Sequence, residues 1–531
     1  MPMLADLRKK FFHGKSVDED EKRQEKKRKI MVERARQKAL DQQFINNTKL
    51  RAERLARLAT LTAANPLLAQ VPDGAISSEP LLLTDNVEME NMEATSTTTQ
   101  EADAEDKSAV ANVAAPEPEL HHHRSCYTCK QKFKQLHHFY DRLCPPCAKL
   151  NYEKRLQTAD LRDHVAIVTG ARVKIGYEIT LKLLRSGAMV IATTRFPKDA
   201  AYRFARERDF DAWKDKLQIY GMDFRDLGVI DKFMDHVATT FGSIDILINN
   251  ATQTIRRPVH YYKHLIKSEV APIPEELNGV EQILRGNASL LGIGAAETDS
   301  APQAPTEGAL IKARAASAIV AATDAATPSS VLLSQVVVVP EDQESEDAAH
   351  LFPEGQVDNN NQQVDLRSSN SWVQKIDQIE TMELVEVFAI NTMAPFILNK
   401  RAIPLLAKSA NKHKFIINVS AMEGKFYRAK TPHHPHTNMA KAAANMMTRT
   451  AAEDLAKRGI FMNSVDTGWI NDENPREVAA RIATDHNFQT PLDEVDAAAR
   501  VLDPIFMLHQ EGHREPPLFG QFLKDFNISE W

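Results

Sequence analysis

The residues Thr169-Gly170-Ala171-Arg172-Val173-Lys174, completed by Ile175-Gly176, stand between an apolar run, Val165–Val168, and a stretch with helical periodicity at Ile179, Leu183 and Leu184. A strand that feeds a glycine turn and then a helix can hold a pyrophosphate. Gly170 permits the tight turn, and Gly176 lets the helix pack closely on the sheet. The helix N-terminus offers unpaired N–H groups and the positive end of its dipole. A second chemistry is written in the cysteines. All four fall in one stretch, as Cys126-x-x-Cys129 and Cys144-x-x-Cys147, with fourteen residues between the pairs. Two such hairpins present four thiolates tetrahedrally to zinc, and a closed four-sulfur site is structural because no position is left for a substrate. An iron–sulfur cluster or a dithiol redox pair is the alternative occupant of this spacing. So short a module scarcely buries a core alone, so its folding is expected to be coupled to metal binding.

The elements that must position these residues alternate along the chain. Strands are expected at His164–Thr169, Met189–Thr194, Leu217–Met222, Ile244–Asn249, Phe415–Ser420, Phe461–Val465 and Gln521–Lys524. Amphipathic helical stretches such as Ile230–Thr240 and Lys441–Lys457 fall between them. Apolar strands alternating with helices mean an α/β fold with a doubly wound parallel sheet covered on both faces. At 531 residues the chain holds more than one segment. Residues 1–65 read as a charged helical arm with a strongly basic run, Lys22–Lys29, and 66–120 as an acidic disordered linker. The cysteine module spans 121–155, and the α/β domain spans 160–531. An insertion at about 266–368, rich in Ala, Ser, Gln, Asp and Asn, reads as mostly disordered and a passenger.

The net charge of −6 exerts no global pull toward nucleic acid or membrane. No apolar run reaches the length of a membrane span. Clustered cysteines argue against a secreted disulfide framework, so a reducing compartment is expected, the cytoplasm or the nucleus.

Five motifs in order resemble the short-chain dehydrogenase/reductase superfamily over about 160–265 and 370–530. They are the glycine turn, Asp223 after the third strand, Asn249-Asn250-Ala251 after the fourth, Asn391 in the next helix and Lys441 after the fifth strand. Gly468 follows the sixth strand, where Thr467 replaces the family's Pro. The resemblance implies a Rossmann sheet that binds a nicotinamide dinucleotide. In family terms Gly170, Ile175 and Gly176 belong to the phosphate turn, and Asp223 would hydrogen-bond the adenine beside Phe224. Asn250 and Ala251 would line the cofactor, Asn391 would hold a helix kink and a proton-relay water, and Lys441 would bind the nicotinamide ribose. Lys174 stands in place of the middle glycine, as in pteridine reductases. Arg195 ends the second strand where an acid would bind the ribose hydroxyls of NAD. Together Arg172, Lys174 and Arg195 favour NADP over NAD.

The family's catalytic pair is replaced. Thr437 stands four residues before Lys441, in the place of the Tyr that donates the proton, and Ala421 stands in the place of the Ser. A Tyr beside a Lys ammonium has its pKa lowered and can protonate an alkoxide; a Thr hydroxyl is far too weak an acid. His434, seven residues before Lys441, and Tyr427 are the candidate replacement donors. Two functions stay open. One is an NADP-dependent oxidoreductase with a rebuilt proton donor and a small-molecule substrate. The other is a catalytically silent NADP-binding sensor or scaffold, with the arm or the zinc module as its surface for a protein partner. A nucleic-acid-associated zinc protein rests only on the basic residues of the arm and module. The apolar stretch Val495–Phe506 suits a homo-oligomer contact and core packing equally well.

Overall fold

Apolar runs buried on both faces build one eight-stranded sheet. In the computed structural model, which describes residues 3–64, 119–291, 329–343, 348–358, 362–426, 430–476, 478–479, 488–509 and 515–531, its order is β10-β9-β8-β7-β6-β3-β4-β5. The strands are β3 (Val165–Thr169), β4 (Met189–Thr194), β5 (Leu217–Gly221), β6 (Ile246–Asn249), β7 (Lys414–Ser420), β8 (Ile460–Asp466), β9 (Phe522–Lys524) and β10 (Asn527–Ser529). All pair in parallel except β10 with β9. Along β3 the side chains alternate between two cores. Ala166 and Val168 pack with Ile179, Leu183, Val501 and Ile505 on one face. Ile167 packs with Ile230, Phe233, Leu398 and Leu405 on the other. Helices Lys174–Arg185 and Glu494–Phe506 therefore cover one side, and Gly228–Phe241 and Ala394–Lys408 the other. Each fully buried Leu or Ile contributes about 1.5–3 kcal/mol, and this two-sided burial holds the sheet. Strand order reverses between β3 and β6, which opens a crevice at their carboxyl ends.

In the cysteine module the first pair sits in the expected hairpin, β1 (Glu119–Ser125) antiparallel to β2 (Lys132–Gln135), while the second pair opens the helix Pro145–Leu156 where a second hairpin was expected. The N-terminal arm is not only an exposed helix. Residues 21–36 are largely exposed, but Ile45 and Leu50 join the module's core. Asp41 accepts the His121 and His122 N–H groups at 2.7 and 3.0 Å. The module is fastened to the sheet domain through Tyr140, which donates to Asp496 at 2.6 Å, and through Arg155, paired with Asp493 and Asp496. Of the segment expected as a disordered linker, all but its last two residues lies outside the described residues; those two, Glu119 and Leu120, belong to β1.

The insertion requires a correction: its described stretches are packed, not a loose passenger. Helix Val280–Leu290 covers the outer edge of β5, where Asn287 accepts the Gly221 N–H at 2.8 Å and Gln218 bonds both Gln282 and Gly286. An edge strand otherwise exposes its unpaired N–H and C=O groups. Asp342 accepts two hydrogen bonds from Arg256, at 2.9 and 2.6 Å, deep in the interior. The composition misled because these anchors are isolated residues among many Ala and Ser.

Packing chooses between the two readings of one helix and changes a further expectation. Helix Glu494–Phe506 is buried between the helix Lys174–Arg185 and the cysteine module, so it presents no free apolar face. Exposed apolar side chains lie instead in the stretch Thr381–Lys408 and on the helix Pro435–Ala456, among them Met382, Val385, Met393, Phe396, Met439 and Met446. The stretch Thr381–Lys408 is long and apolar enough to cross a membrane by length and composition, contrary to the sequence reading; 50% of its apolar window is buried within the fold.

Candidate functional site

The glycine turn lies at the reversal of strand order. Gly170 has φ +69°, and Lys174, in the middle-glycine position, also takes the left-handed conformation at φ +53°. For a side-chain-bearing residue that conformation costs about 1–2 kcal/mol. The helix Lys174–Arg185 starts after Val173, an extended residue that supplies no side-chain cap. Its first N–H groups are thus left for an anion, which fits a pyrophosphate. Thr169 and Asn250 staple β3 to β6. The Thr169 hydroxyl accepts the N–H groups of Asn250 and Ala251 at 2.9 and 3.0 Å, and Asn250 Nδ2 donates to the Thr169 carbonyl at 2.9 Å. This role of Thr169 had no signal in the sequence beyond its place in the motif.

Of the three cations expected at one corner, two converge. Arg172 and Arg195 flank the ring of Phe196 at 5.6 and 5.7 Å, and Arg195 donates to the Tyr262 hydroxyl at 2.9 Å. Arg172 also pairs with Asp199 at 2.7 Å. Burial opposes ionisation of Asp199, but Arg172 and Arg203 outweigh it and hold the carboxyl below its ordinary range. Lys174 departs from the expectation: its ammonium faces Glu473, 3.8 Å away in the loop after β8, because a carboxylate waits on that lip of the crevice. The insertion supplies part of the corner. Phe196 packs with Tyr262, Val331 and Phe352, and Ser330 donates to the Arg195 carbonyl at 3.1 Å.

Asp223 is buried and held bidentately by Arg225, which also reaches Glu386 at 3.4 Å. A guanidinium therefore already occupies part of the carboxylate that the resemblance assigned to adenine; Phe224 is buried beside it. Asn391 sits in a π turn, Ala389–Met393, that interrupts the helical stretch Thr381–Lys408. Its amide clamps the loop after β6, accepting the Gln253 N–H at 2.7 Å and donating to the Gln253 carbonyl at 3.0 Å. Such turns arise where a local constraint inserts a residue into the helix.

Lys441 is buried, with Nζ donating to the Val419 carbonyl at 2.8 Å. Burial pushes its pKa down to about 8, against the pull of Glu423 and Asp466. The Ser420 hydroxyl is spent on Asn445 at 2.6 Å, so it does not substitute for the serine missing at Ala421. Thr437 is buried and its hydroxyl has no hydrogen-bond partner. His434 precedes the helix Pro435–Ala456 in a left-handed conformation. Its ring stacks on Trp372 with centroids 3.9 Å apart, and Nδ1 lies 2.7 Å from the Trp372 carbonyl. Burial holds its pKa near 4. At neutral pH it is uncharged, Nδ1–H donates to that carbonyl, and Nε2 is left as an acceptor. Tyr427 lies outside the described residues.

The Lys441 titration makes a two-sided prediction. Its pKa in the folded chain lies below the ordinary 10.5. Between about 8 and about 10.5 the unfolded chain then binds more protons, so this group makes the fold more stable as pH rises through that window. Affinity for a ribose hydroxyl that needs the ammonium should fall over the same rise. Thermal melts and dinucleotide titrations from pH 7 to 10 should move in opposite directions.

The four cysteine sulfurs all lie within 4.8 Å of one another, with Cys129 and Cys144 at 3.5 Å. Sulfurs at 2.3 Å from a tetrahedral zinc stand about 3.8 Å apart, so the cluster fits that ion.

Residues 164–267 match the short chain dehydrogenase family, and residues 368–512 match the Enoyl-(Acyl carrier protein) reductase family. An uncharacterized protein of Acanthamoeba polyphaga mimivirus is 29% identical over 396 residues, covering 72% of this chain and 71% of that protein. The (+)-neomenthol dehydrogenase of Capsicum annuum is 29% identical over 121 residues, 22% of this chain and 38% of the enzyme. The (-)-isopiperitenone reductase of Mentha piperita is 34% identical over 89 residues, 16% of this chain and 28% of the enzyme. The chain thus spans less than half the length of these two plant enzymes. Among solved structures, a short chain dehydrogenase from Burkholderia cenocepacia in complex with NADP is 17% identical, with 69% of this chain and 97% of that one covered and a TM-score of 0.39. NADPH-bound carbonyl reductase from chicken fatty liver is 17% identical, with 70% and 99% covered and a TM-score of 0.38.

Proposed function

We propose that the α/β body, whose two halves match the short chain dehydrogenase and Enoyl-(Acyl carrier protein) reductase families on either side of the insertion, is an NADP-dependent oxidoreductase of the short-chain dehydrogenase/reductase superfamily acting on a small molecule. One observation carries this reading: an uncapped helix N-terminus opens behind the glycine turn where strand order reverses. NADPH, when bound, would supply the hydride. The chain's own groups would do the rest. The turn and helix N–H groups hold the pyrophosphate, Arg172 and Arg195 favour the extra phosphate of NADP over NAD, and the Lys441 ammonium holds the nicotinamide ribose. His434 Nε2, the ring nitrogen left free by the bond to Trp372, carries no proton at neutral pH, so it would first take one up from solvent and then pass it to the substrate, with the pKa near 4 making that imidazolium a minor, strongly acidic species. The hydride acceptor fits a conjugated or cyclic C=C or C=N better than a simple ketone.

A second reading, a silent NADP-binding sensor or scaffold, is favoured by Thr437 and Ala421 at the two hydroxyl positions. Zinc in the four-cysteine centre would be structural in either case. A homo-oligomer would use the exposed face around Met393, Phe396 and Met446 in place of helix Glu494–Phe506. A cytoplasmic or nuclear location agrees with the four free thiols.

Nicotinamide fluorescence titration of the full chain tests the cofactor, and a carbonyl and enoyl substrate screen followed by NADPH absorbance separates the two readings. His434→Ala is expected to lower turnover by about 10²–10⁴-fold, the usual worth of a positioned proton donor. NADPH affinity should change little. Unchanged turnover would remove His434 from the mechanism.

A further inference from the structure

The four-cysteine centre and the dinucleotide crevice share a wall. Tyr127 sits inside the first cysteine pair, between Cys126 and Cys129. Its backbone N–H donates to the Arg142 carbonyl at 2.8 Å, two residues before Cys144, so both halves of the centre fix its position. Its hydroxyl accepts the Trp469 N–H at 2.9 Å. Trp469 directly follows Gly468, which has φ +80° and donates its N–H to Asp466 at 2.7 Å. Lys524 lies over the Tyr127 ring and within 3.5 Å of Asp466. The next residue, Ile470, belongs to the same buried cluster as Cys126, Phe133, Leu136 and Cys144. Ile175, in the first turn of the phosphate helix, packs on that cluster too. Both lips of the crevice, the glycine turn and the loop after β8, therefore rest on the module's core.

We infer that Tyr127 is a positioning residue that couples metal loading to cofactor binding, by holding the Gly468-Trp469 loop from within the cysteine centre. The inference rests on the cofactor and zinc readings above. Thiolates bound to one ion fix the Cys126–Cys129 turn, the turn fixes the tyrosine, and the tyrosine satisfies a backbone N–H that would otherwise be left without a partner. Coupling of this kind is reciprocal: the factor by which zinc raises cofactor affinity equals the factor by which cofactor raises zinc affinity. A purely local structural defect carries no such equality.

The test uses the full chain. Zinc content is measured by atomic emission, NADPH affinity by fluorescence, and zinc release by transfer to 4-(2-pyridylazo)resorcinol with and without NADPH. Wild-type protein should release less zinc at equilibrium when NADPH is present, a measurement that needs no variant. Tyr127→Phe keeps the ring and removes the acceptor. It should retain one zinc per chain, bind NADPH about tenfold more weakly, and lose the protection of zinc by NADPH. Wild-type protein that binds NADPH with no change in zinc release overturns the inference alone, as does Tyr127→Phe with wild-type affinity. Wild-type protein that binds no NADPH, or carries no zinc, overturns the underlying reading and the inference with it.

Discussion

Gly176→Val is expected to weaken NADPH binding by about a hundredfold or more in a fluorescence titration while the chain stays folded. A Cβ at this position would lie 2.2 Å from the Gly170 carbonyl oxygen, 2.5 Å from Asn250 Nδ2 and 2.9 Å from the Gly170 carbonyl carbon. Two of these atoms are backbone of the glycine turn. The third is the amide that staples β3 to β6. None is the far end of a flexible side chain, so the turn must open and the helix must move off it. Losing two charge-assisted hydrogen bonds to phosphate, at about 1.5–3 kcal/mol each, accounts for the fall in affinity. Each 1.4 kcal/mol corresponds to about tenfold. Overpacking itself costs about 1–3 kcal/mol, which lowers the melting point without unfolding a chain this size. Gly242 is the control. It has φ +75° with nothing within 4 Å of an added Cβ, so Gly242→Ala strains the backbone but leaves the crevice untouched. Gly176→Val with wild-type affinity would place the dinucleotide elsewhere or nowhere.

The central strands were legible because burial on both faces leaves an unbroken apolar run. Met189–Thr194 has the same ends in the sequence reading and in the sheet, and the other long strands differ by one or two residues. The extent of β1 was not legible. In Glu119–Ser125 only Leu120 is buried, so no alternation marks the strand, and its partners are the arm and β2 rather than the sheet. β10 is three residues long and carries no pattern. At the site, the glycine turn, Asn391 and Lys441 could be named because their spacing is local or tied to strand ends. The partners that decide their chemistry could not. Trp372 stacks on His434 from 62 residues away, and Arg225 takes the carboxylate of Asp223 through a contact that periodicity does not encode. Tyr127 meets Trp469 across 342 residues, and nothing in either segment announces the other. Lys174 stands in the middle-glycine place of the phosphate turn, which by sequence puts it in the cationic corner, yet its left-handed backbone and Glu473 send it to the opposite lip.

Removing the Arg256 guanidinium should cost the fold about 3–5 kcal/mol, the usual result of leaving a buried carboxylate unpaired. Arg256 lies just before the insertion and holds Asp342 within it, with Glu386 on its other side at 3.0 Å. The Asp342 side chain is fully buried, and it also accepts the Val338 and Val339 N–H groups at 2.9 and 3.1 Å. Arg256→Met thus strands a charge that already orders a turn. In urea denaturation the midpoint should fall with little change in slope, provided the insertion and the sheet unfold as one unit. Asp342→Asn added to Arg256→Met should recover part of the loss, because the amide oxygen still accepts a backbone N–H and no charge remains buried at that position. The two residues touch, so their effects should be strongly non-additive. Wild-type stability for Arg256→Met would mean that the insertion is carried rather than used. The predicted loss would instead make it a working part of the domain. The ion pairs run on from Asp342 through Arg256, Glu386 and Arg225 to Asp223, so loosening the insertion should be felt at Asp223, the residue that the family resemblance assigns to adenine. A passenger could not produce that coupling, because it would share no buried charge with the sheet that carries it.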